Sequence, residues 1–211
     1  MTASKASGLV RLGLLRTLGV EFVPELAEQF LKANPDRRIR FTFQVGSTGA
    51  LLEALAAREL DLVFASRPPE GQNLTAEVVG HQDLVLIVPK GHPLAGRTAI
   101  DLTETLPYPQ VFFSRDAGLR TIIDGLFART GGTPQIAYET QEDQVIAGLV
   151  AHGFGIAVVP DMELLRQLEL EIIQITQPSW EREFCLIHNS TVYQPPAARS
   201  FRAFVLARTD R

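Results

Sequence analysis

The 211-residue sequence has a single cysteine, Cys185, so no internal disulfide can brace it. The thiol lies in the apolar run 184–187, with no histidine or basic helix end placed to activate it, and reads as a core side chain. After the small, polar residues 1–8 no apolar run is long enough for a secretory h-region or a membrane span, and the expected location is cytoplasmic. Cationic side chains are scattered along the chain and the formal net charge is −4, which argues against a bare nucleic-acid grip. His81, His92, His152 and His188 share no metal-ligand spacing with one another or with Cys185, so no metal is expected. The Gly-x-Ser-x-Gly elbow of a hydrolase is missing. Gly153-Phe154-Gly155 precedes a strand and has no third glycine opening a helix, so it is no dinucleotide loop, and no cofactor is expected.

What is present is informative from residue 43 to residue 65. A strand runs into the turn Gly46-Ser47-Thr48-Gly49, the turn opens an amphipathic helix, and the helix leads to a second apolar strand. Ser47 and Thr48 thus bring hydroxyls to the unpaired amides of a helix N-terminus, a place that receives small anions. Without a P-loop lysine, a carboxylate or a similarly small oxyanion fits this turn better than a nucleotide.

Strand and helix patterns alternate along the rest of the chain. A strand over 9–15 is followed by a break at 16–19 and a helix to residue 33, with Phe22, Val23, Leu26, Ala27, Phe30 and Leu31 on one face. Strands are expected at 39–45 and 61–65, and a crossing between two lobes within 78–89. Beyond it come a short helix near 100–105, a strand at 110–113, a turn at 114–118 and a helix over 116–129. A strand at 136–139, a helix at 141–152 and an apolar strand ending at Pro160 follow. Asp161 is the expected N-cap of a helix at 162–168; strands at 170–175 and 183–188 precede a last helix burying Phe201, Phe204 and Val205. The strand at 183–188 is expected to recross between the lobes. The pattern predicts an α/β fold, largely parallel, with sites at the carboxyl ends of strands.

Gly13, Pro24, Phe30, Pro35 and Gly46, then Leu60-Asp61-Leu62-Val63, Gly91-His92-Pro93-Leu94 and the Gly-x-Gly-Ile-Ala-x-x-Pro run at 153–160, occur in an order and at separations that resemble the effector-binding domain of LysR-type transcriptional regulators. The resemblance spans 9 to about 208. It implies two Rossmann-like lobes joined by two crossing strands, like type II periplasmic binding proteins, with a small inducer in the cleft. The expected division is a linker remnant at 1–8, lobe I at 9–85 with 189–211, and lobe II at 86–188. The winged helix-turn-helix and linker helix of the family are not in this sequence, so DNA binding would belong to the full-length protein. The family also implies an antiparallel homodimer through the helix at 20–33 and the helix at 119–129, with a tetramer possible at full length.

Carried over by position, Thr17, Ser47 and Thr48 match hydroxyl positions of the first lobe, and Ser114, Arg115, Gln141 and Glu142 match helix-start positions of the second. Arg16, beside Thr17, is a departure that would narrow ligand choice. Each hydroxyl also has a purely local role, because serine and threonine commonly cap helices; a cap uses one hydroxyl and leaves its neighbour and the spare amides available. An acidic residue such as Glu142 is favoured in a first helical turn by the dipole alone. The expected function is non-catalytic sensing of a small anionic metabolite, whether carboxylate, amino acid or inorganic oxyanion. The rivals are a transport-type solute-binding protein and a small enzyme on the same scaffold, for which Glu142 is the one candidate base.

Overall fold

The computed structural model describes residues 8–69, 73–115, 117, 119–180 and 182–209. The expected linker remnant lies outside these residues except for Gly8, which opens the first strand, and Asp116 and Gly118 of the expected turn lie outside them too. The chain divides into two compact units, unit 1 from Met1–His81 with Arg182–Arg211 and unit 2 from Gln82–Glu181.

Unit 1 begins with β1 (Gly8–Leu14), α1 (Phe22–Ala33), β2 (Ile39–Val45), α2 (Thr48–Ala56), β3 (Leu62–Ser66) and β4 (Leu74–Gln82). Unit 2 contributes β5 (Leu84–Pro89), β6 (Ala99–Asp101), β7 (Pro109–Phe113), α3 (Arg120–Thr130), β8 (Gln135–Thr140), α4 (Asp143–Ala151), β9 (Ala157–Pro160) and β10 (Leu170–Gln177). The chain returns to unit 1 with β11 (Arg182–Asn189) and α5 (Pro196–Thr209).

The sheet of unit 1 has the order β2-β1-β3-β11-β4. Its β1 is parallel to both β2 and β3, in registers that align Leu14 with Val45 and with Phe64. Val10, Leu12, Leu62, Val63 and Phe64 are buried without exposed surface, as expected for strands covered on both faces. Helix α1 turns Val23, Ala27 and Phe30 inward, with Pro24 in its first turn, where a missing N–H is harmless. The Phe30 ring meets those of Phe201 and Phe204 on α5 at 5.2 Å. At Gly13 an added Cβ would lie 2.6 Å from a Leu60 methyl, so glycine is what allows the segment after α2 to pack on β1.

Unit 2 has a four-stranded sheet of order β6-β10-β5-β9 and a parallel pair, β7-β8. The expectation of a largely parallel fold needs correction here, since β5 has antiparallel neighbours on both sides, β10 and β9. A strand such as β5, with 84–88 wholly buried, carries the same apolar run whichever way its neighbours point.

Several local expectations change as well. The segment near 100–105 forms only a 3-10 turn, Leu102–Thr105, under a capping box of Asp101 and Glu104. Glu163–Gln167 is likewise a 3-10 turn, and Asp161 pairs with Arg166 at 2.9 Å instead of capping it. Helix α3 starts at Arg120, because the chain after β7 first makes turns in which the Ala117 amide donates to the Ser114 carbonyl and the Arg120 amide to that of Ala117. Strand β11, counted with lobe II in the division the resemblance implies and expected to recross between lobes, pairs antiparallel with β3 from Phe184↔Ser66 to Ile187↔Val63 and so completes the unit 1 core.

A buried polar group sits within that core. His188 on β11 packs its Nε2 against a guanidinium nitrogen of Arg202 on α5, while its Nδ1 lies 3.9 Å from a Glu77 carboxylate oxygen on β4. Guanidinium can only donate, so Nε2 accepts and the ring proton sits on Nδ1. Burial, with Arg202 adding to it, lowers the imidazole from 6.5 to about 4. The folded chain therefore holds His188 neutral, and protonation favours the unfolded state. Conformational stability is predicted to fall as pH drops from about 6.5 toward 4, and His188→Gln to flatten that slope; urea titrations at stepped pH values read both.

Candidate functional site

Parallel pairing in unit 1 brings three strand ends to one edge. The Gly46 amide donates to the Leu14 carbonyl at 3.3 Å, and the Leu15 amide to that of Phe64 at 3.1 Å. The chain leaves β1 through a 3-10 turn, Arg16–Leu18, and leaves β2 through Gly46 and Ser47 into α2. Thr17, Ser47 and Thr48 thus emerge at the same end of one sheet, as do Ser66 and Arg67 after β3.

Ser47 is the N-cap of α2, in extended conformation, and its Oγ accepts from the Ala50 amide at 3.4 Å. Its carbonyl accepts from Leu51 at 3.0 Å, which leaves the amides of Thr48 and Gly49 heading the helix, where no preceding turn supplies a carbonyl. The cap uses Ser47 and leaves the hydroxyl of Thr48 next to those amides. Thr48 and Gly49 line a groove of about 730 Å³ that continues past Leu52, Ser66, Arg67 and Asn73. Arg67, which sequence reasoning did not single out, is paired with Glu183 at 2.7 Å; its only sequence signal is its place just after a buried strand.

Thr17 differs from these residues in its hydrogen bonding. Its Oγ1 is buried and has no hydrogen-bond partner. A buried hydroxyl left unpaired costs about 1–3 kcal/mol, so such a group is commonly met by water or by a ligand. Arg16 beside it is exposed.

In unit 2 the parallel pair β7-β8 aligns Phe113 with Thr140, and the Ser114 amide donates to the Thr140 carbonyl at 2.9 Å. Ser114, Arg115 and Gln141 are therefore gathered at one strand end, although Ser114 and Arg115 belong to turns instead of opening α3. Glu142 occupies the N-cap of α4 without a side-chain cap bond, and Asp143 behind it is buried. The other residue missed from sequence is Arg120, whose guanidinium lies almost entirely inside unit 2 among carbonyl and carboxylate oxygens. Burial works against its charge, and hydrogen bonds to Glu139 and Asp124 outweigh that, so its pKa is raised.

Elsewhere, burial pushes the Cys185 thiol up, the wrong direction for a nucleophile. Among the described residues no group of three or more His, Cys, Asp or Glu could hold a metal ion, and no helix is long and apolar enough to cross a membrane.

Parallel strands that end beside the start of a helix, in unit 1 and again in unit 2, define the α/β class of this fold. Comparison with known proteins names it further. The LysR substrate binding domain family matches residues 3–210, and the chain belongs to that family. It is 32% identical over 201 residues to the uncharacterized HTH-type transcriptional regulator YybE of Bacillus subtilis, covering 95% of this chain and 68% of that protein. It is 27% identical to the RuBisCO operon transcriptional regulator of Allochromatium vinosum, with 97% and 68% covered. The effector binding domain of QuiR, solved in complex with shikimate, superposes with a TM-score of 0.88 at 32% identity, covering 97% of this chain and 98% of that one. The CcmR regulatory domain of Synechocystis PCC6803, in complex with 2-PG, gives 0.84 at 23% identity, with 98% and 99% covered. The matched stretch is about two thirds of the length of the two regulators and nearly the whole of the QuiR effector binding domain.

The two hydroxyls at the unit 1 edge make opposite stability predictions. Ser47→Ala is predicted to lower the unfolding free energy by about 1 kcal/mol through loss of the cap. Thr17→Val is predicted to leave the thermal midpoint unchanged or raise it, because a methyl replaces a hydroxyl that has no partner. Denaturant and thermal unfolding of both variants check the contrast.

Proposed function

We propose that this chain senses a small anionic effector, a carboxylate, amino acid or inorganic oxyanion, and passes its occupancy to transcription through a DNA-binding domain of the full-length regulator. The observation that carries this reading is the edge of unit 1, where the leading amides of α2 and the Thr48 hydroxyl share a strand end with the partnerless hydroxyl of Thr17. Hydrogen bonds to a charged group contribute about 1.5–3 kcal/mol each, so three or four suffice for micromolar binding, about −8 kcal/mol, after ordering costs. On unit 2, considered by itself, Ser114, Arg115 and Gln141 are the residues proposed for ligand contact, and on unit 1 Arg16 is proposed to restrict the choice of ligand. Shikimate, the ligand in the QuiR complex, makes a hydroxylated carboxylate the first class to try.

Regulation needs only a ligand that prefers one of two arrangements, typically by about 1–3 kcal/mol. The proposed dimer sets α1 of one chain against α3 of its mate. On the unit 1 side, apolar residues left exposed, Leu31 on α1, which the sequence pattern placed on the inward face, and Phe43 and Val45 on β2, support such burial.

A thermal-shift screen of the chain against shikimate, benzoate, amino acids, sulfate and phosphate is predicted to find its stabilising compounds among the carboxylates or oxyanions. Thr48→Val then weakens that compound by about tenfold in calorimetry with little change in stability. Unchanged affinity would remove α2 from the site.

A further inference from the structure

We propose that Arg120 is a positioning residue for the effector-contacting edge of unit 2, a single buried guanidinium that clamps the carboxyl ends of β7 and β8 and so sets where Ser114 and Gln141 stand. It lies in the first turn of α3, with its side chain 9% exposed. One terminal nitrogen, Nη1, donates to the Phe113 carbonyl at 2.8 Å, the last residue of β7 and the one before Ser114. The same nitrogen donates to the Glu139 carboxylate on β8 at 2.5 Å, just ahead of Thr140 and Gln141. Nε donates to both oxygens of Asp124, one helical turn along α3, each at 2.9 Å, and the cation lies 5.3 Å from the centre of the Phe112 ring.

Three elements are thereby tied at one atom group. The planar fork of the guanidinium fixes direction as well as distance, which a lysine ammonium does not. The need for such a clamp follows from the local topology. The β7-β8 ladder is two strands wide and is joined on the other side of β7 by the bridge Gln110↔Ile156 near the start of that strand, so among the described residues its carboxyl end has no further strand beside it. Its end must also hold the turns in which Ala117 bonds back to Ser114 and Arg120 to Ala117, because α3 does not begin until Arg120. Two carboxylates facing one buried cation leave the cluster with a carboxylate charge in excess. Asp124 is about half exposed at the helix surface, and Glu139 is the anion that reaches across from β8.

This inference rests on the proposed effector reading for its functional meaning, but the clamp itself is testable without any ligand. Amide hydrogen exchange on the whole chain reads it directly, because the Ser114 amide is held by the Thr140 carbonyl at the clamped end. In Arg120→Met, exchange at Ser114 is expected to rise by about tenfold or more, while amides of β5 in the same unit and of β1 in unit 1 keep their protection. Arg120→Lys, which keeps the charge without the fork, is expected to fall between the two. Unchanged exchange at Ser114 overturns the proposal, and so does a uniform rise through β5, which would mark Arg120 as a general core residue. Should Arg120→Met fail to fold, Glu139→Ala, which removes the β8 anchor alone, is held to the same criterion. A calorimetric titration with shikimate forms the second arm: a weaker Kd in Arg120→Lys at unchanged melting temperature connects the clamp to binding, and an unchanged Kd limits it to backbone order and overturns the functional half. If shikimate binds neither protein, the hydroxycarboxylate reading fails while the exchange experiment still decides the clamp.

Discussion

The parallel register of β1 with β2 and β3 is the constraint on which the unit 1 edge depends. Parallel strands end together, and each must leave through a turn toward its next helix, so the groups that follow three separate strands are delivered to one place. Backbone amides at the head of α2 are then available by necessity, since the first turn of any helix has donors without intrahelical acceptors. Side chains add selectivity to what the backbone already offers. Ser47 spends its hydroxyl on the cap, Thr48 does not, and Thr17 is held in a turn where its oxygen is buried with nothing to meet it.

The two units reach a comparable arrangement by different means. In unit 1 a wide sheet and the packing of α1, α2 and α5 hold the strand ends. In unit 2 the corresponding pair of strands is narrow, and charge takes over part of the holding through Arg120, Asp124 and Glu139. A cation that satisfies four oxygens of its own protein is poorly placed to serve a ligand, whereas an unsatisfied hydroxyl has its bonding capacity intact. By this measure Thr17 suits contact and Arg120 suits support.

Much of this was legible in the sequence where period and punctuation agree. The strand, hydroxyl turn and helix from β2 into α2 could be read because Gly46, Ser47 and the Leu51, Leu52 and Leu55 stripe all favour the same local structure. Strand direction was not legible: a run such as β5, buried on both faces, looks alike with parallel and antiparallel neighbours. The true start of α3 was hidden because Ser114 has the chemistry of a helix cap, yet its carbonyl accepts from Ala117 in a turn. Arg120 was missed because an arginine in a helix normally reads as a solvated cation, and its burial depends on Glu139, nineteen positions away in the chain. The unpaired state of Thr17 is likewise a tertiary property, visible only once its surroundings are packed.

The place of β11 in the unit 1 sheet, between β3 and β4, has a consequence for biosynthesis. A ribosome releases β1 to β4 first and β11 only after the hundred residues of unit 2, Gln82–Glu181, have been made. Through that interval the apolar flank of β3 has no strand beside it and β4 has no mate at all. Unit 2, being contiguous, can mature during translation, whereas unit 1 must wait for its last segment and presents an open sheet edge to chaperones and to other nascent chains until then.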